Sequence, residues 1–303
     1  MTSEELTSVL GRAELTRGLT FGLLALGVGL AGALGRPRAR PVAVAGLLFG
    51  AAVAATLGAT LELPGGLALG LAVLAVAGVA GGARVVRPAG PLLAVFGAWL
   101  LASRSGLALP GWAQLLIGTA IVLGGWLLAD FDARWGRRGA GPVLLAVSVA
   151  GVYLTVPDTE QALAALGVAL PMALLGFPWP LASLGRAGAR VAAGTLLWVV
   201  AAGNGGRGSA LVGGVACLGV LAIEPLARLL DPRRHSALEL LPVDWRWLPV
   251  ATLAHLGLVA ISARVIGLRP TVAGAVAVGL VVLVVAVLLA LLATGARRRM
   301  STS

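Results

Sequence analysis

A run of eighteen residues without a charge, Gly139 to Val156, limits the folds open to this chain more than any other feature. At 1.5 Å of rise per residue, an α-helix of this length spans about 27 Å, close to the hydrocarbon thickness of a bilayer. Arginines precede the run at 134, 137 and 138, whereas Asp158 and Glu160 follow it without a nearby cation. The positive-inside rule therefore predicts a transmembrane helix that begins on the cytoplasmic side.

The whole chain has the composition of such segments. Hydrophobic residue types make up 59% of its 303 residues and charged residues only 12%, about half the share in globular proteins. This predicts an all-α fold, a polytopic helical membrane bundle of about 11 transmembrane helices joined by short loops. The predicted spans are the apolar runs 18–35, 41–61, 65–83, 89–103, 111–129, 139–156, 161–178, 187–202, 209–230, 247–266 and 270–294.

The basic residues predict one orientation for all these spans. All 23 are arginines, and 17 of them lie in the loops after odd-numbered runs or in the C-terminal tail. We therefore expect a single integral membrane domain over 1–303 in the cell membrane, with a short surface segment at 1–17 outside and a basic cytoplasmic tail at 295–303. The formal charge of +11 is explained by this placement. We expect the lipid bilayer, and no nucleic acid, as its partner.

Small and aromatic residues suggest how the helices pack. Glycines four residues apart, at 18 and 22, 46 and 50, 66 and 70, and 78 and 82, allow close helix approach and predict a tight unit of the first three spans. The eight tryptophans lie near the ends of runs, which is typical of anchors at the membrane interface. Arginine clusters recur about every 50 residues, a spacing that helical hairpins explain without a duplication, although duplication is the alternative.

Ionisable groups inside predicted spans are the first candidates for a substrate or proton pathway. Glu224 precedes Pro225, which kinks a helix and frees a carbonyl, but a surface pair with Arg228 explains Glu224 about as well. His255 lies about 12 Å into its span and shares a helix face with Thr252 and Ser262. The competing interpretation is a histidine bonded to a neighbouring helix.

Two pairs of carboxylates are weaker candidates. Asp130 and Asp132 at the cytoplasmic end of a span resemble a metal-diphosphate site, but loop residues in salt bridges are the alternative. Asp158 and Glu160 on the outer side are candidates for acid and base groups, or for an ordinary acidic helix start. The single cysteine, Cys217, makes no ligand-spacing motif, and we predict no metal and no cofactor.

Many spans, short loops and few buried polar groups favour a permease or flippase-type transporter over an enzyme. The substrate would be a small molecule or a lipid. The alternatives are a membrane-embedded transferase that acts on a lipid-linked substrate, and a non-catalytic subunit of a membrane complex.

Overall fold

The structure of the protein, a computed structural model, describes residues 12–34, 41–59, 65–83, 85–104, 109–136, 139–155, 159–177 and 180–203. Most of the chain in these ranges is α-helical. The eight helices are α1 (Ala13–Leu34), α2 (Ala45–Gly58), α3 (Gly65–Ala80), α4 (Ala89–Arg104), α5 (Gly111–Trp135), α6 (Ala140–Thr155), α7 (Glu160–Met172), which continues as a 3-10 turn (Ala173–Leu175), and α8 (Arg186–Gly203). Two-residue strands precede α2 and α8, β1 (Val42–Ala43) and β2 (Ala182–Ser183).

The first eight predicted spans are each a helix, so the all-α class is confirmed over the described ranges. Two of these helices, α1 and α5, are long and apolar enough to cross a membrane. Helices α2, α3, α4, α6 and α7 are apolar but shorter. Helix α8 has 18 residues, and its first turns carry Arg186 and Arg190. The predicted spans from 209 onwards lie outside the described residues.

Helix α1 shows how its sequence selects a buried face. Gly18, Gly22 and Gly29 recur at helical spacing and are buried, whereas Leu23 and Leu24 on the other side are 58% and 61% exposed. Large apolar side chains are also exposed along α3, α4 and α5. An exposed apolar face of this extent is typical of a surface that meets lipid or another protein.

The glycine face of α1 packs against α7. A Cβ atom at Gly18 would lie 2.6 Å from the carbonyl oxygen of Ala164, and one at Gly167 would lie 2.6 Å from that of Leu15. Farther along, Gly22 lies against Val168. Residue numbers rise together in both helices, so α1 and α7 run in the same direction. Their backbones approach closely because glycine presents no side chain there.

A second parallel contact joins the elements that follow. Strands β1 and β2 pair in parallel, with Val42 opposite Ala182 and Ala43 opposite Ser183. Beyond them α2 and α8 cross at Gly46 and Gly188, where a Cβ atom at Gly188 would lie 2.9 Å from the Cα atom of Gly46. Residues 13–58 and 160–203 are therefore two helix-strand-helix units that lie side by side and run in parallel, and we call them the first unit and the second unit.

The remaining helices run antiparallel to their neighbours. Helices α3 and α4 form a hairpin in which Gly70 lies against Leu101 and Gly90 against Gly81. Both α3 and α5 cross α8, at Gly78 with Ala187 and at Gly125 with Arg190. Throughout the described ranges these contacts are consistent with helices that alternate in direction along the chain.

The expectation that the first three spans form one tight unit is wrong. Their glycines do mark close contacts, but the partners lie later in the chain: α7 for Gly18 and Gly22, α8 for Gly46, Gly50 and Gly78, and α4 for Gly66 and Gly70. A glycine stripe defines the face on which a helix can approach closely, and it leaves the identity of the partner open.

Candidate functional site

The described residues next to the connections after α1, α3, α5 and α7 meet at one end of the bundle, which we call the basic end. Their common neighbour is the segment 180–186, which carries β2 and the start of α8. It pairs with β1, it donates backbone hydrogen bonds to Asp132 on α5, and its Arg186 guanidinium lies 3.5 Å from the carbonyl oxygen of Gly81 after α3. The described parts of the loops predicted to be cytoplasmic thus share one end of the structure.

Asp132 fixes the segment that precedes α8. Its Oδ1 atom accepts a hydrogen bond from the Leu184 N–H at 2.9 Å, and its Oδ2 atom accepts one from the Gly185 N–H at 2.8 Å. Gly185 has a φ of +74°, a conformation that favours glycine, and an added Cβ atom there would lie 2.8 Å from the carbonyl oxygen of Ala43. Asp132 is buried, and these hydrogen bonds offset part of the cost of removing its carboxylate from water.

Asp130 lies two residues earlier on the same helix but has a different partner. Its Oδ2 atom forms an ion pair with the Arg134 guanidinium one turn on, and both side chains are partly exposed. Residues two apart do not face each other on a helix, so the two carboxylates do not converge on a common point. Among the described residues, no group of three or more His, Cys, Asp and Glu side chains is placed to hold a metal ion.

A cavity of about 400 Å³ opens between α3, α4, α5 and α8 at the basic end, and we call it the arginine cavity. Its lining includes the side chains of Arg87, Arg186 and Arg190, together with Trp126 and Asp130. Arg87 and Arg186 are exposed, whereas Arg190 is partly buried one turn into α8. The lining is therefore basic, since Asp130 is already paired with Arg134.

Glycines hold open the space that these guanidinium groups share. The stem of Arg190 passes over Gly125 of α5, where an added Cβ atom would lie 3.1 Å from the Arg190 Cγ atom. Its Nη1 atom is 3.4 Å from the carbonyl oxygen of Gly90. An added Cβ atom at Gly81 would lie 3.5 Å from the Arg190 Nη2 atom. Side chains at these positions would displace Arg190 or fill part of the cavity.

Two further cavities adjoin the helices. One of about 290 Å³ lies beside Asp132, between β1, α5 and β2, and shares Ala129, Ala133 and Arg186 with the arginine cavity. Another, of about 490 Å³, lies between α4 and α5 and is lined mainly by apolar groups such as Trp99 and Leu115. Of the three, the arginine cavity has the greatest concentration of positive charge.

The start of α7 carries one of the predicted outer carboxylates. Thr159 is the N-cap residue, and its Oγ1 atom accepts a hydrogen bond from the Ala162 N–H at 3.3 Å. Glu160 follows in the first turn and is exposed, a position where the helix dipole favours an acidic residue.

The other predicted site residues lie outside the described residues. These are Asp158, Glu224, Thr252, His255 and Ser262, and their roles stay predictions. The structure instead brings together Arg87, Arg186 and Arg190, whose positions in the sequence predict only orientation. For two of them the sequence does contain a signal, the segment RAGAR at 186–190. Its two arginines, Arg186 and Arg190, are four residues apart and therefore lie on one face of the start of a helix.

Comparison with known proteins found no match: no family model, no curated protein and no solved structure is similar to this chain.

Proposed function

We propose that this chain is an integral membrane protein and, within that class, a permease or flippase-type transporter. The observation that carries the proposal is the arginine cavity, which opens at one end of a bundle of apolar helices and reaches inward to Trp126 and Arg190. Trp126 lies nine residues before the end of α5, about 14 Å along the helix. Because α5 continues six residues past the apolar run that ends at 129, this position lies near the cytoplasmic end of the predicted span, and the cavity would form the mouth of an access pathway there.

The packing directions support the predicted topology. Antiparallel contacts of α8 with α3 and α5, and its parallel contact with α2, are what alternate crossings of a membrane require. The exposed apolar surfaces, and the placement of Arg87, Arg186 and Arg190 around one cavity at the same end, support the same arrangement. On this proposal the basic end faces the cytoplasm and the N-terminus lies outside.

Alternating access can be tested without a known substrate. A single cysteine at Trp126, in a Cys217→Ala background, should react with a membrane-impermeant maleimide added to either side of oriented vesicles. Reaction from the basic end should be fast, and reaction from the opposite side slower, because it requires the other conformation. Labelling is quantified by mass spectrometry of the full chain.

A cysteine at Ala133 is the matched control. Ala133 lines the same cavity but lies at its outer edge and is exposed, so it should react only from the basic end. Reaction of the Trp126 position from the basic end alone would contradict the transporter proposal. It would favour the transferase or the complex subunit.

A further inference from the structure

We infer that the arginine cavity binds an anion that carries a phosphate group, held by the guanidinium groups of Arg186 and Arg190. The inference names the substrate class of the proposed transporter and in that respect rests on it. Binding can nevertheless be measured without transport, so the two can fail separately.

The first argument is the balance of charge in the cavity. Within the described ranges, neither Arg186 nor Arg190 forms an ion pair with a carboxylate. Their hydrogen bonds are long ones, at 3.5 and 3.4 Å, to the carbonyl oxygens of Gly81 and Gly90. A guanidinium group has five N–H donors, so most donors on both side chains are available to a ligand.

The second argument is the spacing of the two arginines. Like charges four residues apart on a helix repel each other, and Arg190 is also partly removed from water. A bridging anion would relieve both costs. Guanidinium groups bind phosphate through parallel hydrogen bonds, and this geometry distinguishes arginine from lysine.

The third argument separates this site from a helix N-terminus. The N–H groups of Leu184 and Gly185 before α8 already donate to Asp132, on the side of the 290 Å³ cavity. These two N–H groups are therefore already used, and the inference rests on the side chains of Arg186 and Arg190. The site depends on the placement of Arg186 and Arg190 by α8, and Asp132 supports it by fixing where α8 begins.

The surroundings of the cavity also suit a lipid. Trp126 in its lining is 56% exposed, and Val79 and Leu92, next to lining residues in sequence, are 67% and 74% exposed. Basic pockets between helices on the cytoplasmic side are typical sites for phosphate headgroups. A lipid would place its headgroup on the arginines and its acyl chains along this apolar surface. A soluble phosphate compound would use the arginines alone.

The test is ligand titration of the full-length purified chain by native mass spectrometry. The probes are dioleoylphosphatidylglycerol, dioleoylphosphatidylcholine as the lipid without net charge, and inorganic pyrophosphate. Arg190→Gln should weaken binding of the phosphatidylglycerol, the pyrophosphate or both by about tenfold or more, since it removes charge-assisted hydrogen bonds. Arg190→Lys should recover part of the loss.

Arg104→Gln is the matched control. Arg104 is exposed at the far end of α4, with its guanidinium carbon 5.9 Å from the centre of the Trp99 ring, and its replacement should leave binding unchanged. If Arg190→Gln does not fold, Arg186→Gln at an exposed position provides the measurement.

Each outcome decides the inference. Arginine-dependent binding of phosphatidylglycerol alone identifies a lipid headgroup, and arginine-dependent binding of pyrophosphate identifies a free phosphate group. Binding that is insensitive to both arginines, or equally weakened by Arg104→Gln, would overturn the inference, as would no binding by any probe. A chain that fails this test but shows two-sided labelling at Trp126 would be a transporter of another substrate class.

Discussion

The first and second units have the same order of elements and run in parallel, yet only the second begins its last helix with arginines. Aligned on the contact between Gly46 and Gly188, the positions of Arg186 and Arg190 correspond to Val44 and Leu48 in the first unit. The close glycine contacts are thus common to both units, whereas the charged face belongs to one. The comparison separates residues that hold the units together from residues that form the cavity.

The contact between the units gives the largest expected effect. Gly46→Leu should prevent α2 from packing on α8, because even a Cβ atom there would lie 2.7 Å from the Cα atom of Gly188. We expect loss of folded, monodisperse protein in detergent, measured by size-exclusion chromatography. Gly27→Leu is the control, since nothing lies within 4 Å of a Cβ atom at that position on α1. Equal behaviour of the two variants would show that the units are not held together at Gly46.

The next effect concerns the residue that places the second unit on α5. Asp132→Ala removes the acceptor for the N–H groups of Leu184 and Gly185. We expect a loss of about 1.5–3 kcal/mol in the free energy of unfolding, the range for hydrogen bonds to a charged group. The measurement is chemical unfolding in detergent, followed by circular dichroism. Asp132→Asn keeps one acceptor oxygen, so its free energy of unfolding should lie between those of the unchanged protein and Asp132→Ala.

The smallest effect is expected at Asp130. Its ion pair with Arg134 is partly exposed, and Asp130→Asn should change the free energy of unfolding by less than about 1 kcal/mol. This also tests the transferase alternative. In a metal-diphosphate site both carboxylates would be needed, so Asp130→Asn and Asp132→Asn would each abolish Mg²⁺-dependent binding of a lipid phosphate. Metal-independent binding in both variants would exclude that site.

Much of the fold was readable from the sequence because long apolar runs have few ways to satisfy their backbone hydrogen bonds. Each apolar run from 18 to 202 is a helix, since an apolar segment of that length satisfies its backbone hydrogen bonds internally. The bounds were less accurate: α5 continues past the apolar run at 111–129 to Trp135. Helical hydrogen bonding extends through Asp130 and Asp132 because each has a partner for its charge at the end of the bundle.

Helix partners and the arginine cavity were not readable. Tryptophans near the ends of apolar runs are expected at the membrane interface, but Trp135 and Trp198 are buried among helices. Trp99, Trp112 and Trp126 are 47–56% exposed, as interface anchors should be. Likewise, loop arginines indicate orientation, whereas the position of Arg190 over Gly125 depends on how α5 crosses α8. Both failures concern contacts between segments that are distant in sequence.

The most direct test of the central claim, that the two units lie side by side in parallel, is a disulfide between β1 and β2. Ala43 and Ser183 are opposite each other, and neighbouring strands lie about 4.8 Å apart, within the range of Cα separations that a disulfide bond spans. In a Cys217→Ala background, Ala43→Cys with Ser183→Cys should cross-link under mild oxidation in native membranes, seen as an intact-mass loss of two hydrogens. Ala43→Cys with Thr159→Cys, at opposite ends of the bundle, should not. Absence of a cross-link in the first pair, with both thiols reactive towards maleimide, would contradict the parallel arrangement.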